Sequence, residues 1–247
     1  METLGKYHSV IVVPCYNEHA RLPVDSFMDH LKLHPTHACC FVDDGSTDGT
    51  LGLLKQIVKE CPNAFILERT ANGGKANAVY HGMLYALKNI PSTYFGYMDA
   101  DLATPLSFIS IMENKMEKNP DAMMLFGSRQ IAEKNSIERK AFRHYSGRFV
   151  SSIITWALGA KFGDTQCGAK LFSKYGVEIG FEEEFSSSWI FDVEIIKRIL
   201  LKIGRENSSS HILEIPVNQW KDVGNSKVST WYFFKMIREL MRIKRTK

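Results

Sequence analysis

Asp99 and Asp101, separated only by Ala100, follow the apolar run Tyr94 to Met98. If that run is a strand, alternation sends both carboxylates to one side and Ala100 to the other. Carboxylates this close repel unless a cation or a shared proton lies between them. Open α/β sheets bind their ligands at the carboxyl ends of parallel strands, and a divalent cation is the better fit there. Mg²⁺ in particular is commonly held by one or two carboxylates plus substrate phosphates. In the competing arrangement one Asp caps the next helix and the other sits in a turn. A lone D-x-D does not choose between the two.

Two more polar clusters end apolar runs. Tyr16-Asn17-Glu18 follows Ser9 to Pro14, and Asp43-Asp44 follows Ala38 to Val42. Parallel strands would carry these clusters to the same edge as Asp99 and Asp101, so their convergence says more than any one of them. Asn72-Gly73-Gly74-Lys75 precedes a helical pattern. Ala76 follows the Lys and the upstream Gly spacing is missing, which excludes a Walker A loop. A Gly-rich helix N-terminus with Lys75 can still face an anionic ligand, the plainer alternative being a simple turn.

The elements that must position these residues alternate. Strands are expected at 9–14, 38–42, 64–68, 94–98 and 123–126. Helices are expected at 22–33, 50–61, 76–88 and 106–117, with Asp48 capping the second. That order implies a doubly wound α/β domain with a mostly parallel sheet. The second half is less regular. Residues 137–158 read as helix, 169–172 as strand, 189–203 as helix, 212–217 as strand and 231–245 as a basic amphipathic helix.

The chain has 247 residues, 45% of them hydrophobic, and a net charge of only +4, which argues against a nucleic-acid partner. Its five cysteines include no C-x-x-C pair and suit reduced thiols in a cytosolic protein. No apolar run approaches the ~20 residues that span a bilayer. The expected location is cytoplasmic, with at most peripheral contact at a membrane face. Oligomeric state leaves no signal in the sequence.

Pro14-Cys-Tyr-Asn-Glu18, Val42-Asp-Asp-Gly-Ser-Thr-Asp-Gly-Thr50 and Asp99-Ala-Asp101 together resemble glycosyltransferase family 2. The resemblance continues through Gly127-Ser-Arg129, Asp164-Thr-Gln-Cys-Gly168, Phe191-Asp-Val-Glu194, Glu214-Ile-Pro-Val217 and Gly224-Asn-Ser-Lys227. It is strongest to the branch that glycosylates polyprenyl phosphates, dolichyl-phosphate glucosyltransferases among them. The resemblance implies a GT-A fold of one domain, with a nucleotide-sugar half at 1–130, an acceptor half at 131–228 and the C-terminal helix at 229–247. It implies inverting, Mg²⁺- or Mn²⁺-assisted transfer of a hexose, glucose from UDP-glucose in this branch, to a lipid-linked phosphate.

Carried over by position, Pro14, Tyr16 and Glu18 line the nucleoside pocket, and Asp43 or Asp44 accepts from the base. Lys75 and Ala100 lie with the nucleotide sugar. Asp99 serves the ribose or the metal, and Asp101 is the metal ligand bridging to the diphosphate. Arg129 and Arg143 hold the acceptor phosphate, while Lys221 and Lys227 close over the diphosphate. Ala103 stands where some mannosyltransferase relatives supply a further metal ligand. Asp192 falls where other family members place a catalytic base, which a hydroxyl acceptor would need; otherwise it caps its helix. The C-terminal helix suits an interfacial anchor or an ordinary helix packed on the core.

Overall fold

The run Val10-Ile11-Val12-Val13 offers no polar face, and all four side chains are fully buried in β1 (Tyr7–Cys15). The computed structural model describes residues 6–129, 153–220 and 238–243. The remaining strands are β2 (His37–Asp44), β3 (Ala64–Arg69), β4 (Ser92–Met98), β5 (Met124–Ser128), β6 (Ala169–Ser173) and β7 (Ile212–Pro216). The helices are α1 (Val24–Leu33), α2 (Thr50–Glu60), α3 (Lys75–Asn89), α4 (Phe108–Glu117), α5 (Lys174–Gly180) and α6 (Phe191–Ile203). Residues 153–158, Ser208–His211 and 238–243 are also helical, and Arg205–Asn207 form a 3₁₀ turn.

The seven strands form one sheet in the order β3-β2-β1-β4-β6-β5-β7. Only the pairings of β6, with β4 and with β5, are antiparallel. The expected mostly parallel, doubly wound sheet is therefore present. On one face Val10, Val12, Cys40 and Val42 pack with residues of α3, α5 and α6. On the other, Ile11, Val13, Cys39 and Phe41 pack with residues of α1, α2 and α4. Covering both faces explains why β1 and β2 read as continuous apolar runs rather than alternating ones. β1, β2 and β4 run parallel, so their carboxyl ends share one edge.

The helix expected at 137–158 falls within the described residues only from 153, and those are helical. In the C-terminal helix Leu240 and Ile243 are buried in the core, and Glu239 accepts from Ser187 Oγ at 2.5 Å. The described part of that helix is thus docked on the body of the protein, with Met241 exposed. No helix among the described residues is long and apolar enough to cross a membrane.

A histidine cluster fills the opposite end of β1 and β2. His30 Nε2 meets His37 Nδ1 at 3.0 Å, and His37 Nε2 meets Glu113 Oε2 at 3.0 Å. The His34 ring lies 4.5 Å from that of His30 and 5.0 Å from that of His37. Burial, then the neighbouring His37 and His34, lower the His30 imidazole to about 4. The unfolded chain takes up this proton near pH 6.5, so it binds more protons than the folded chain between there and about 4. Stability should fall with pH across that window by up to about 3 kcal/mol from this group. Urea midpoints measured from pH 7 down to 4.5 check this, and His30→Leu should flatten the slope.

Candidate functional site

β4 stops at Met98, one residue before the first carboxylate. Asp99 to Ala103 form a turn, with Leu102 N bonded to Asp99 O at 3.3 Å and Ala103 N to Asp101 Oδ1 at 3.0 Å. Leu102 takes the left-handed conformation, φ 51°, uncommon for a side chain of its size. Strand alternation is therefore not what brings the carboxylates together, and Ala100 lines the same cleft as its neighbours. The competing arrangement is half realised. Asp101 does hold a turn, but neither Asp caps α4, whose N-cap is Ser107.

The cleft has a volume of ≈ 340 Å³, within the range of small-molecule sites. It brings together Pro14, Tyr16 and Glu18 from the end of β1, Asp44 from β2, Lys75 from α3, and Asp99, Ala100 and Asp101. Asn72 and Gly74 of the Gly-rich stretch also line it, as does Arg21, which sequence reasoning did not nominate. Arg21 lies one turn past Glu18 and donates to it through Nε and, at 2.5 Å, through Nη2. Asp43 is not among the lining residues. It sits on the strand face shared with Phe41 and is buried, its Oδ1 without a hydrogen-bond partner among the described residues.

The first two motifs are stitched to one another. Asn17 N donates to Ser46 Oγ at 3.1 Å, and Asn17 Oδ1 accepts from Thr47 N at 2.8 Å. Glu18 N donates to Thr50 Oγ1 at 2.7 Å, and His19 N to Asp48 Oδ2 at 3.2 Å. Asp48 Oδ1 also accepts from Thr50 N at 2.9 Å, so it holds the first turn of α2 from one residue before the N-cap Gly49. Thr50→Val keeps the volume but leaves the buried Glu18 N–H without its acceptor. The expected cost is about 1–3 kcal/mol, read as a lower urea midpoint with unchanged slope.

Asp44 organises the third loop. Its Oδ2 accepts from Gly73 N at 3.0 Å and Gly74 N at 2.8 Å, and its Oδ1 pairs with the Arg69 guanidinium. Gly74 is the N-cap of α3 with φ 82°, a conformation that favours glycine, and no side chain caps the helix. The next residue, Lys75, places Nζ 2.5 Å from Asp99 Oδ1. Desolvation opposes the Lys75 charge, but Asp99, Asp192 and Asp101 outweigh it and hold the pKa above the ordinary lysine value. Burial, then the Glu18 and Asp43 carboxylates, push the Cys15 thiol well up, which disfavours the thiolate a nucleophile needs.

Arg129 and Asp192 lie outside that lining. Arg129 directs Nε and Nη2 at the two oxygens of Asp164, at 2.7 and 2.8 Å, and its backbone N–H donates to Oδ2 at 3.0 Å. This fork leaves the Nη1 donors for another acceptor. Asp192 does not cap α6, whose N-cap Ile190 instead donates its N–H to Ser187 Oγ at 2.8 Å. The Asp192 carboxylate is buried, pairs with Lys170 Nζ at 2.7 Å and accepts from the Tyr97 hydroxyl. Sequence reasoning passed over Lys170, because lysine is almost never fully buried. Arg143, Lys221 and Lys227 lie outside the described residues.

Among the described residues no third His, Cys, Asp or Glu joins Asp99 and Asp101 to form a metal cage. Two carboxylates on the wall of an open cleft fit a Mg²⁺ or Mn²⁺ ion that completes its shell with ligand phosphates and water. They do not fit an ion held wholly by protein.

A family model described as Glycosyl transferase family 2 matches residues 10–178. The dolichyl-phosphate beta-glucosyltransferase of Homo sapiens is 31% identical, over 95% of this chain and 74% of its own length. One from Trichomonas vaginalis is also 31% identical, over 94% of this chain and 71% of its own. Among solved structures, Mycobacterium tuberculosis glucosyl-3-phosphoglycerate synthase in complex with Mn²⁺, UDP-glucose and phosphoglyceric acid superposes with a TM-score of 0.67. It is 13% identical, covering 98% of this chain and 81% of that one. Mannosyl-3-phosphoglycerate synthase from Rubrobacter xylanophilus superposes at 0.66 with 14% identity, covering 96% and 73%.

Proposed function

The chain belongs to glycosyltransferase family 2 and has the GT-A fold, and from that premise we propose that it transfers glucose from UDP-glucose to the phosphate of a polyprenyl phosphate. The cleft carries this reading. It sets Asp99 and Asp101 beside Lys75 and Asp44 at the carboxyl edge of the sheet, as a nucleoside diphosphate requires. The relatives' name supplies the acceptor class and the β linkage. A β product from an α-linked donor needs a single inverting displacement.

In this reading Pro14, Tyr16 and Glu18 flank the nucleoside, and Asp43 or Asp44 accepts from the uracil N–H, Asp44 being the one of the two that lines the cleft. Asp101 and Asp99 would hold Mg²⁺ or Mn²⁺, which when bound supplies Lewis-acid relief of charge on the departing UDP. Lys75 and the uncapped start of α3 add positive potential to the same diphosphate. Arg129, through its remaining donors, and Arg143 hold the acceptor phosphate. Lys221 and Lys227 close over the donor and exclude water.

A phosphate oxygen is already ionised near neutral pH and attacks the anomeric carbon without a strong base. A saccharide hydroxyl would need one. The Asp192 carboxylate, buried and engaged by Lys170 and Tyr97, is poorly placed to serve, which supports the phosphate acceptor. A membrane-embedded acceptor tail calls for peripheral membrane contact, and the exposed Arg238, Met241 and Arg242 side of the C-terminal helix suits it.

The test incubates the protein with radiolabelled UDP-glucose, Mn²⁺ and dolichyl phosphate. Label should enter the organic phase, and UDP but not GDP should raise the melting temperature. Transfer to a free saccharide with none to the lipid would overturn the acceptor assignment, and stabilisation by GDP alone would overturn the donor.

A further inference from the structure

Asp99 is seated from behind by a segment that none of the roles above involves. Asp99 N bonds to Gly168 O at 3.2 Å. A Cβ built on Gly168 would fall 2.1 Å from Asp99 Oδ2, so the carboxylate rests where any other residue's side chain would begin. Gly168 has no positive φ, and its backbone would accept alanine; what it lacks is room. Two residues on, Lys170 is fully buried and faces Tyr97 across the β4–β6 ladder. Its Nζ donates to Cys167 O at 2.5 Å, pairs with Asp192 at 2.7 Å and lies 5.2 Å from the Tyr97 ring centroid. One ammonium thus ties three pieces together: the loop entering β6, the first turn of α6, and the strand that stops one residue before Asp99.

We propose that the Gly168–Lys170 segment is a positioning element for Asp99: Lys170 anchors the loop, and Gly168 fixes where the carboxylate meets Lys75. Lys170 touches neither donor nor acceptor and acts through Asp99. Stability alone does not account for it, because an apolar pair of similar volume often replaces a buried ion pair without loss. The proposal rests on the assigned role of Asp99 in donor binding.

The test compares Lys170→Met/Asp192→Leu and Gly168→Ala with the wild type. Crystal structures of the unliganded variants should show the Asp99 carboxylate displaced by about 1 Å, away from Lys75, and kcat/KM for UDP-glucose should fall about 10²-fold. The KM for the lipid phosphate should stay unchanged. In an Asp99→Ala background, Gly168→Ala should add less than about twofold, because its effect runs through the missing carboxylate. An unmoved Asp99, or kcat/KM within about threefold of wild type in a folded variant, overturns the proposal. If the double variant does not fold, Gly168→Ala decides alone. If the wild type does not use UDP-glucose, the donor reading fails, while the Asp99 position in the crystals still decides this one.

Discussion

Asp101→Asn should lower kcat by about 10²–10³-fold, the loss typical of removing one charge-stabilising group, while leaving the melting temperature within a degree or so of wild type. The fold should survive because the amide oxygen can still accept from Ala103 N, the one hydrogen bond the Asp101 side chain makes among the described residues. What disappears is a negative charge from a set of two. If Asp99 and Asp101 hold the ion as proposed, losing one charge leaves a single carboxylate, so the Mn²⁺ concentration giving half-maximal rate should rise along with the loss of kcat. Asp99→Asn is a less clean probe, since it also removes the partner of Lys75. Initial rates at saturating UDP-glucose, with Mn²⁺ titrated for both proteins, make the comparison. A variant within threefold of wild type at ordinary Mn²⁺ would dismiss Asp101 as a metal ligand.

The second large effect concerns stability. Lys170→Met alone strands the buried Asp192 carboxylate and should cost about 3–5 kcal/mol. For a chain of this size that is a fall in melting temperature of roughly 6–20 °C. Asp192→Leu alone should do comparable damage by leaving the fully buried ammonium unpaired. Removing both should recover most of the loss. Thermal melts of the two single variants and the double close the cycle, and additive losses would show that the pair is not coupled. The same arithmetic warns against a simple experiment. Asp192→Asn weakens the pairing with Lys170 as well as removing a carboxylate, so a loss of activity marks Asp192 as a base only when the melting temperature is unchanged.

The α/β order was legible because its signals are local. Continuous apolar runs marked β1 and β2, and Gly or Asp clusters marked their ends. The convergence of Glu18, Asp44 and Asp99 followed from parallel order alone. What stayed hidden depends on distant partners. Lys170 looks like surface until Asp192 and Tyr97 arrive beside it. Asp44 looked like a ligand contact alone, whereas its carboxylate also shapes the loop that presents Lys75. α5 is short and was not expected, and Ser173, which caps it by accepting from Gly176 N at 3.2 Å, also ends a strand. The turn at Asp99–Leu102 was only one of two arrangements the sequence allowed, because a leucine is an unusual choice for φ 51° and gave no sign of it.

The placement of β6 bears on how the molecule is made. β3, β2, β1 and β4 can assemble as soon as Met98 has been synthesised, since each already has its neighbour. β5 cannot join them, because its partners are β6 and β7, both later in the chain. Until β6 emerges, the nascent sheet on the ribosome carries an open, apolar β4 edge of the kind that pairs with other chains. The half of the chain that ends with β5 therefore leaves both the β4 edge and β5 itself without a strand partner. A protein cut after β5 would end in a strand with nowhere to go, and β6 (Ala169–Ser173) must emerge before the sheet can close over that edge.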